Sequence, residues 1–366
     1  MPVPTEPVEA LFERLLQAGP GRGELLIRND RRFQRPELIH LLVDEVETIV
    51  VDDPRSGKRL AQMALMASEE LDATEYGRSL VTRCRVLALA QLGNSHRLIG
   101  DTDEADRVLG EAQSACTRRG ADERAVVATM LTSLRREQCR LAEAEAAAIE
   151  AIQIYERLAD EVGLARALCK LGGLRLESAA PPEEAETPLR EALVILDEEE
   201  DPWGAICIRE NLSLCHLYSG RVKAARRLLD VSAALGDFRR SNPAFRLWLE
   251  GLLAATQGEF ESASSILRSA SDHLRCERGI WDQLRVLIGL DLAALYARHR
   301  SYAELRAFSR ELSPLMFSPG LHSEAVHGLA LLLRTINFEA CGAELIEALS
   351  VHIRRSRFEP GLRFLA

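Results

Sequence analysis

Along most of the chain, apolar and small residues return every three to four positions, the spacing that puts them on one face of an α-helix. The pattern is sharpest between Leu89 and Ala112. Leu89, Leu92-Gly93 and His96 keep helical spacing, Gly100-Asp101 interrupts, and Ala105, Leu109 and Ala112 begin a second helix at once. A glycine inside a helix costs about 1 kcal/mol against alanine, so Gly93 calls for a reason. The stretch recurs. Gly93, Thr132, Gly172, Ser213, Gly251 and Ala293 follow one another at 39, 40, 41, 38 and 42 residues. Each is followed by a second helix with its own small or apolar row. The rows are Ala105, Leu109, Ala112; Ala144, Ala148, Ala151; Ala185, Leu189, Ala192; Ala225, Leu229, Ser232; Ala263, Leu267, Ala270; and Leu305, Ser309, Leu312. Small residues at these positions let two helix backbones approach to about 8–10 Å. No segment of useful length has the strand period. A repeat of roughly 20–50 residues signals a stacked array rather than one globular core.

Turn signals separate the paired helices at Gly100-Asp101, Ala179-Ala180-Pro181-Pro182, Gly220-Arg221 and Gly258-Glu259, and glycine suits a helix end because it tolerates the left-handed conformation. Longer links join one pair to the next. The chain divides into a short helix and loop over 1–35, a degenerate helix pair over 36–74 with Gly57, Ala61 and Ala64 on its small-residue face, the repeat array over 75–318, and a capping pair with tail over 319–366.

The pattern resembles the tetratricopeptide repeat. Leu89, Leu92-Gly93, His96, Gly100, Ala105, Leu109 and Ala112 match that repeat position for position, and Leu171-Gly172 and Gly251, Gly258, Phe260, Ala263 and Ala270 match it well. Two departures stand out. The period is near 40 where the family has about 34. The first-helix aromatic is replaced by His96, Arg135, Arg175 and His216, with Tyr296 retained. Lengthened repeats of this kind look like the sensor arrays of some bacterial transcription regulators. The resemblance implies an all-α fold: an α-solenoid, wound as a right-handed superhelix of about seven to eight antiparallel helix pairs.

Composition agrees with a folded helical protein. Of 366 residues 47% are hydrophobic and only 5% aromatic, and 43 arginines stand against three lysines, a bias that points to a GC-rich, bacterial genome. The formal net charge of −10 argues against direct nucleic-acid binding. No apolar run reaches the roughly 18 residues of a membrane span, and the N-terminus lacks the signature of a secretory signal. The eight cysteines are scattered without a CxxC pair, which suits a reducing, cytoplasmic setting. No phosphate-binding loop, dinucleotide fingerprint, nucleophile elbow or zinc-protease motif occurs, so neither an enzyme nor a cofactor is expected. His322 and His327 are five apart and diverge on a helix, so no metal site is expected there either. Glu198-Glu199-Glu200-Asp201 reads as a solvated linker, with a basic partner as the alternative. Arg354, Arg355 and Arg357 read as complements to a helix C-terminus.

The resemblance implies that function resides in an extended concave surface lined by the first helices. The positions that carry over to that groove are Asn94, Arg97, Ser133, Arg136, Lys170, Glu210, Asn211, Trp248, Leu252 and Asp291. Amides at Asn94 and Asn211 suit a peptide backbone, Arg97, Arg136 and Lys170 suit acidic groups, and Trp248 suits an apolar anchor. Asn94 and Asn211 are equally explained by the repeat consensus, and Trp248 by packing between units. The expected function is a non-enzymatic scaffold for a protein or extended peptide, a sensor or adaptor that regulates a separate partner. The alternative is a self-associating assembly factor, with Phe364 and Leu365 of the tail docking into another copy.

Overall fold

The computed structural model describes residues 6–366 apart from 20, 118–119, 179, 236–242, 276–281, 315–322, 338–341, 356–361, 363 and 365–366. Among the described residues there are nineteen α-helices and no strand. The chain forms two compact units, Met1–Leu134 with Ala147–Ala159, and Arg135–Ala146 with Asp160–Ala366.

The first unit contains α1 (Val8–Gln17), α2 (Arg22–Asn29), α3 (Pro36–Ile49), α4 (Pro54–Glu69), the short α5 (Ala73–Tyr76), α6 (Arg78–Ile99) and α7 (Thr102–Ala115). The boundary with the second unit runs through α8 (Ala121–Glu137) and α9 (Leu141–Leu158). Helix α2 lies where the sequence suggested loop. Gly21 takes a positive φ of 78° and breaks the chain after α1, but "RGELLIRN" is amphipathic and buries Ile27 completely. Gly23 rests on Met63 of α4, so a glycine that looked like a breaker is a packing contact. Leu11, Leu15, Ile27, Phe33, Leu38 and Leu42 continue into Leu60, Leu89 and Leu109 as one apolar core.

The second unit holds α10 (Glu161–Glu177), α11 (Pro182–Ile195), α12 (Pro202–Tyr218), α13 (Val222–Ala234), α14 (Pro243–Thr256), α15 (Phe260–His273), α16 (Asp282–Arg298), α17 (Tyr302–Leu312), α18 (Ser323–Asn337) and α19 (Ala343–Arg355). Helices pack as hairpins: α10 on α11, α12 on α13, α14 on α15, α16 on α17 and α18 on α19. Neighbouring hairpins touch through their first helices, α10 to α12, α12 to α14 and α14 to α16, and also through the second helix of one on the first helix of the next, most extensively α11 on α12 and α15 on α16. Helix α19 departs from this order, because it packs on α16 more extensively than on its own partner α18.

The small residues lie where the helices close. A Cβ on Gly93 would come 2.6 Å from Leu109 Cγ, one on Gly172 2.4 Å from Leu189 Cγ, and one on Gly251 2.6 Å from Leu267 Cδ2. All three leucines are buried, and burying a leucine stabilises by about 1.5–3 kcal/mol, which outweighs the helical cost of the glycine. In the α16–α17 hairpin Ala293 is buried as expected, but the tight contact moves one turn earlier, with Gly289 against Leu312 at 2.6 Å.

The joints are equally regular. Seven residues after the small residue comes a left-handed backbone at Gly100, Cys139, Gly220, Gly258 and Arg300, with φ of 89°, 58°, 68°, 78° and 56°. The next amide then reaches back to a carbonyl five residues earlier. Asp101 bonds His96, Arg140 bonds Arg135, Arg221 bonds His216, Glu259 bonds Ala254 and Ser301 bonds Tyr296, all at 2.8–3.0 Å. These bonds satisfy carbonyls that the helix end leaves open. Side chains repeat too: the Arg85–Glu111 ion pair of α6 and α7 recurs 39 residues later as Arg124–Glu150 across α8 and α9.

Two expectations about charged runs change. Asp201 is not solvated. It caps α12 by accepting from the Gly204 amide at 2.9 Å and pairs with Arg166 of α10 at 2.7 Å, and it is buried. Glu198 pairs with the buried Arg209, while Glu199 and Glu200 stay exposed. Arg354 lies in the last turn of α19, where it complements the helix end, but it is not left in solvent. It is buried with its guanidinium over the Tyr218 ring, 4.7 Å from the centroid. Arg357 and His322 lie outside the described residues. No helix is long and apolar enough to cross a membrane, and no three His, Cys, Asp or Glu side chains gather as metal ligands, among the described residues.

Candidate functional site

A first helix presses one side on its second helix, so the residues two positions before the small residue face the other way. In the second unit this open face carries Lys170 on α10, Asn211 on α12 and Asp291 on α16. Asn211 is half-buried. Its side-chain nitrogen donates to the Cys207 carbonyl at 2.9 Å and lies 3.8 Å from Cys169 Sγ, so it joins α12 to α10. Gly173 leaves room for it: the Asn211 Oδ1 atom is the nearest group, 3.9 Å from where a Cβ would sit. Lys170 is half-buried beside it, and Arg136 at the end of α8 lies 3.6 Å from Glu177 of α10. The Glu177 charge holds Arg136 protonated above its ordinary range. Burial pushes the Cys169 thiol up to about 11 and Cys207 well above the ordinary thiol value, so both are neutral at physiological pH.

Further along, the face is acidic and aromatic. Glu210 is buried with Oε1 lacking a hydrogen-bond partner among the described residues, and burial raises its pKa to about 7 against the opposing charge of Arg246. Arg246 bonds Glu250 at 2.7 Å and the Leu229 carbonyl at 3.0 Å. Trp248 is 2% exposed and donates its indole N–H to Asp291 Oδ2 at 2.8 Å, linking α14 to α16. Of its two expected roles, the structure shows packing between units. Burial also raises the Asp291 pKa, and the Arg354 charge is the first influence opposing that rise. Leu252 is half-buried.

In the first unit Asn94 is buried, and its oxygen accepts from Arg97 at 3.1 and 2.7 Å. Ser133 is buried as well. Both histidines that replace the repeat aromatic are buried: His96 stands 3.1 Å from Asp101, and His216 is held below its ordinary pKa by burial.

Four side chains join this face that the pattern alone did not select. Cys169 and Cys207 sit one and four positions before Lys170 and Asn211, a spacing that was available to find them. Tyr218 follows Ser213 by five positions, on the same side. Arg354 had no such signal, since it arrives from α19. Phe364, expected to dock into another copy, rests against His352 of its own chain with ring centroids 5.2 Å apart, and Leu365 lies outside the described residues.

These hairpins, with small residues at the close approaches and left-handed joints after the first helices among the described residues, form an all-α array whose fold is like that of tetratricopeptide-type repeat proteins. Solved structures agree on the fold. The chain is similar to a Rap protein complexed with Competence and Sporulation Factor, at a TM-score of 0.62 and 12% identity over 89% of this chain and 93% of that one. It is also similar to a signal transduction ATPase with numerous domains that carries a tetratricopeptide repeat sensor, from Pyrococcus horikoshii, at a TM-score of 0.52 and 16% identity. That match covers 96% of this chain and about half, 53%, of the larger protein. No family model matches the sequence, and no curated protein matches it.

Proposed function

We propose that the chain is a non-enzymatic scaffold that holds a protein segment or extended peptide along the open face of its first helices and relays that binding to a separate partner. The observation that carries this reading is the set Arg136, Lys170 and Asn211 on three successive first helices, beside the bare backbone of Gly173. Cationic groups there suit acidic side chains, and an amide suits a peptide backbone. Asn94, Arg97 and Ser133 offer similar chemistry on α6 and α8 of the first unit. The likeness of fold to a Rap protein complexed with a factor supports the same reading, as does the likeness to a sensor region. The six cysteines among the described residues are all free, which favours action in a reducing compartment, the cytoplasm.

The test is selection of random-sequence peptides displayed on phage against the full chain. Enriched peptides should lose binding to the Asn211→Ala and Lys170→Glu variants while keeping binding to a variant altered on an outer helix, such as Arg227→Ala. Absence of any enriched sequence, or enrichment indifferent to Asn211 and Lys170, overturns the proposal.

A further inference from the structure

Helix α19 breaks the order of the array. The final hairpin is built from α18 and α19, yet α19 lies along α16. The contact is on the open face of α16. Asp291 and Arg298 are seven residues apart and share one side of that helix, whereas Gly289, which faces α17, points elsewhere. Glu347, near the start of α19, pairs with Arg298, near the end of α16, so the two helices run antiparallel. The far end of α19 then reaches back past α16. Arg354 covers the ring of Tyr218, at the end of α12, and its charge is felt by Asp291, which holds the Trp248 indole of α14. Leu349 and Ile353, on the side of α19 that meets its partner, close on Gly328 of α18. One segment of the chain therefore rests on the open face of α16 and reaches Tyr218 at the end of α12.

The fit is incomplete. Arg354 is 8% exposed, and its Nε finds no hydrogen-bond partner among the described residues. A buried guanidinium without its full set of partners makes a docked state that is easily exchanged for a better one.

We propose that α19 is a resident occupant of the binding face in the second unit, seated through Arg354 on Tyr218 and through Glu347 on Arg298, and that it must be displaced before the α12–α16 part of that face takes an outside segment. The inference rests on the reading of these faces as a binding surface, and it names what covers them in the free protein.

The test uses a fluorescein-labelled synthetic peptide of residues 343–355, AELIEALSVHIRR, and the full-length chain. Loosening α19 in place with Glu347→Arg plus Arg354→Ala should let the peptide bind at least about tenfold tighter than to the unaltered chain, because apparent affinity scales with the fraction of open sites. Adding Tyr218→Leu to that variant should abolish the gain. Equal binding to the unaltered and loosened chains, or binding indifferent to Tyr218, overturns the proposal.

Hydrogen exchange on the unaltered chain gives a second measure that needs no variant. The α19 amides should exchange faster than those of α14 and α15, and protection of α19 equal to theirs overturns the proposal. The two readings fail separately. If library peptides bind neither chain while the 343–355 peptide binds the loosened one, the outside ligand is lost and the resident helix stands. If library peptides bind both chains alike at the α12–α16 face, the resident helix is lost and the scaffold stands.

Discussion

Gly172 and Gly173 are neighbours in α10, and the structure gives alanine at the two positions opposite consequences. Either substitution gains about 1 kcal/mol from helix propensity. At Gly172 the new Cβ lands 2.4, 2.7 and 3.1 Å from Leu189 Cγ, Cδ2 and Cδ1. Leu189 is fully buried and has nowhere to swing. Overpacking of this kind costs about 1–3 kcal/mol, so Gly172→Ala should range from neutral to about 2 kcal/mol destabilising once the propensity gain is subtracted. At Gly173 nothing is nearer than 3.9 Å, so the propensity gain stands alone. The difference between the neighbours, about 1–3 kcal/mol, is free of the propensity contribution because that is common to both.

Whole-chain denaturation does not say which hairpin of a repeat array has changed. Native-state hydrogen exchange of the α10 and α11 amides reads the local effect. Those amides should exchange about 5- to 150-fold faster in Gly172→Ala than in Gly173→Ala. Adding Leu189→Ala to Gly172→Ala should remove the clash and show strong coupling between the two sites. If Gly172→Ala protects α11 as well as Gly173→Ala does, close approach is not why a glycine stands there.

Three further outcomes follow from the same geometry. Arg300 and Cys139 hold left-handed backbones at joints where Gly100, Gly220 and Gly258 stand elsewhere, so Arg300→Gly and Cys139→Gly should each stabilise their hairpin by up to about 1 kcal/mol, read as slower exchange of the flanking helices. Glu210 keeps its proton to about pH 7 when folded, against an ordinary 4.5, so its contribution is intact below 4.5 and stability falls as pH rises through about 7. Glu210→Gln should leave the urea midpoint unchanged in acid and raise it above neutrality; equal midpoints for both chains above neutrality would refute this. Glu186 behaves in the opposite sense: Arg221 and Arg190 hold it at about 2, so its contribution is full above 4.5 and is lost as pH falls through about 2. Glu186→Gln should therefore lower stability near neutrality and flatten the acid limb of the unfolding curve.

The hairpins were legible in the sequence because close backbone approach demands a small residue, and Gly93, Gly172 and Gly251 announce it against a background of leucine and arginine. The joints were legible where glycine marks them and not where Cys139 and Arg300 adopt the same backbone without the usual residue. Helix α2 was missed because Gly21 and Gly23 look alike on paper, although one turns the chain and the other packs on Met63. Asp201 was read as solvent-facing because its neighbours are acidic, and only the fold brings Arg166 to it. On the open face, spacing found Lys170, Asn211 and Asp291. It could not tell that Trp248 bonds Asp291, or that α19 lies along α16. Helical periodicity says that a face is covered, not what covers it.

From Gly93 to Ala105, Thr132 to Ala144, Ser213 to Ala225, Gly251 to Ala263 and Ala293 to Leu305, the count is the same twelve residues, and only the Pro181-Pro182 hairpin, from Gly172 to Ala185, adds one. The drift between 38 and 42 therefore falls in the links between hairpins rather than within them. Each hairpin is a self-contained cassette with a standard hinge, and the splice points lie outside it. Gaining or losing a whole cassette would leave the others' contacts in register, so a lineage could lengthen or shorten its reach by simple counting, without redesigning any single joint.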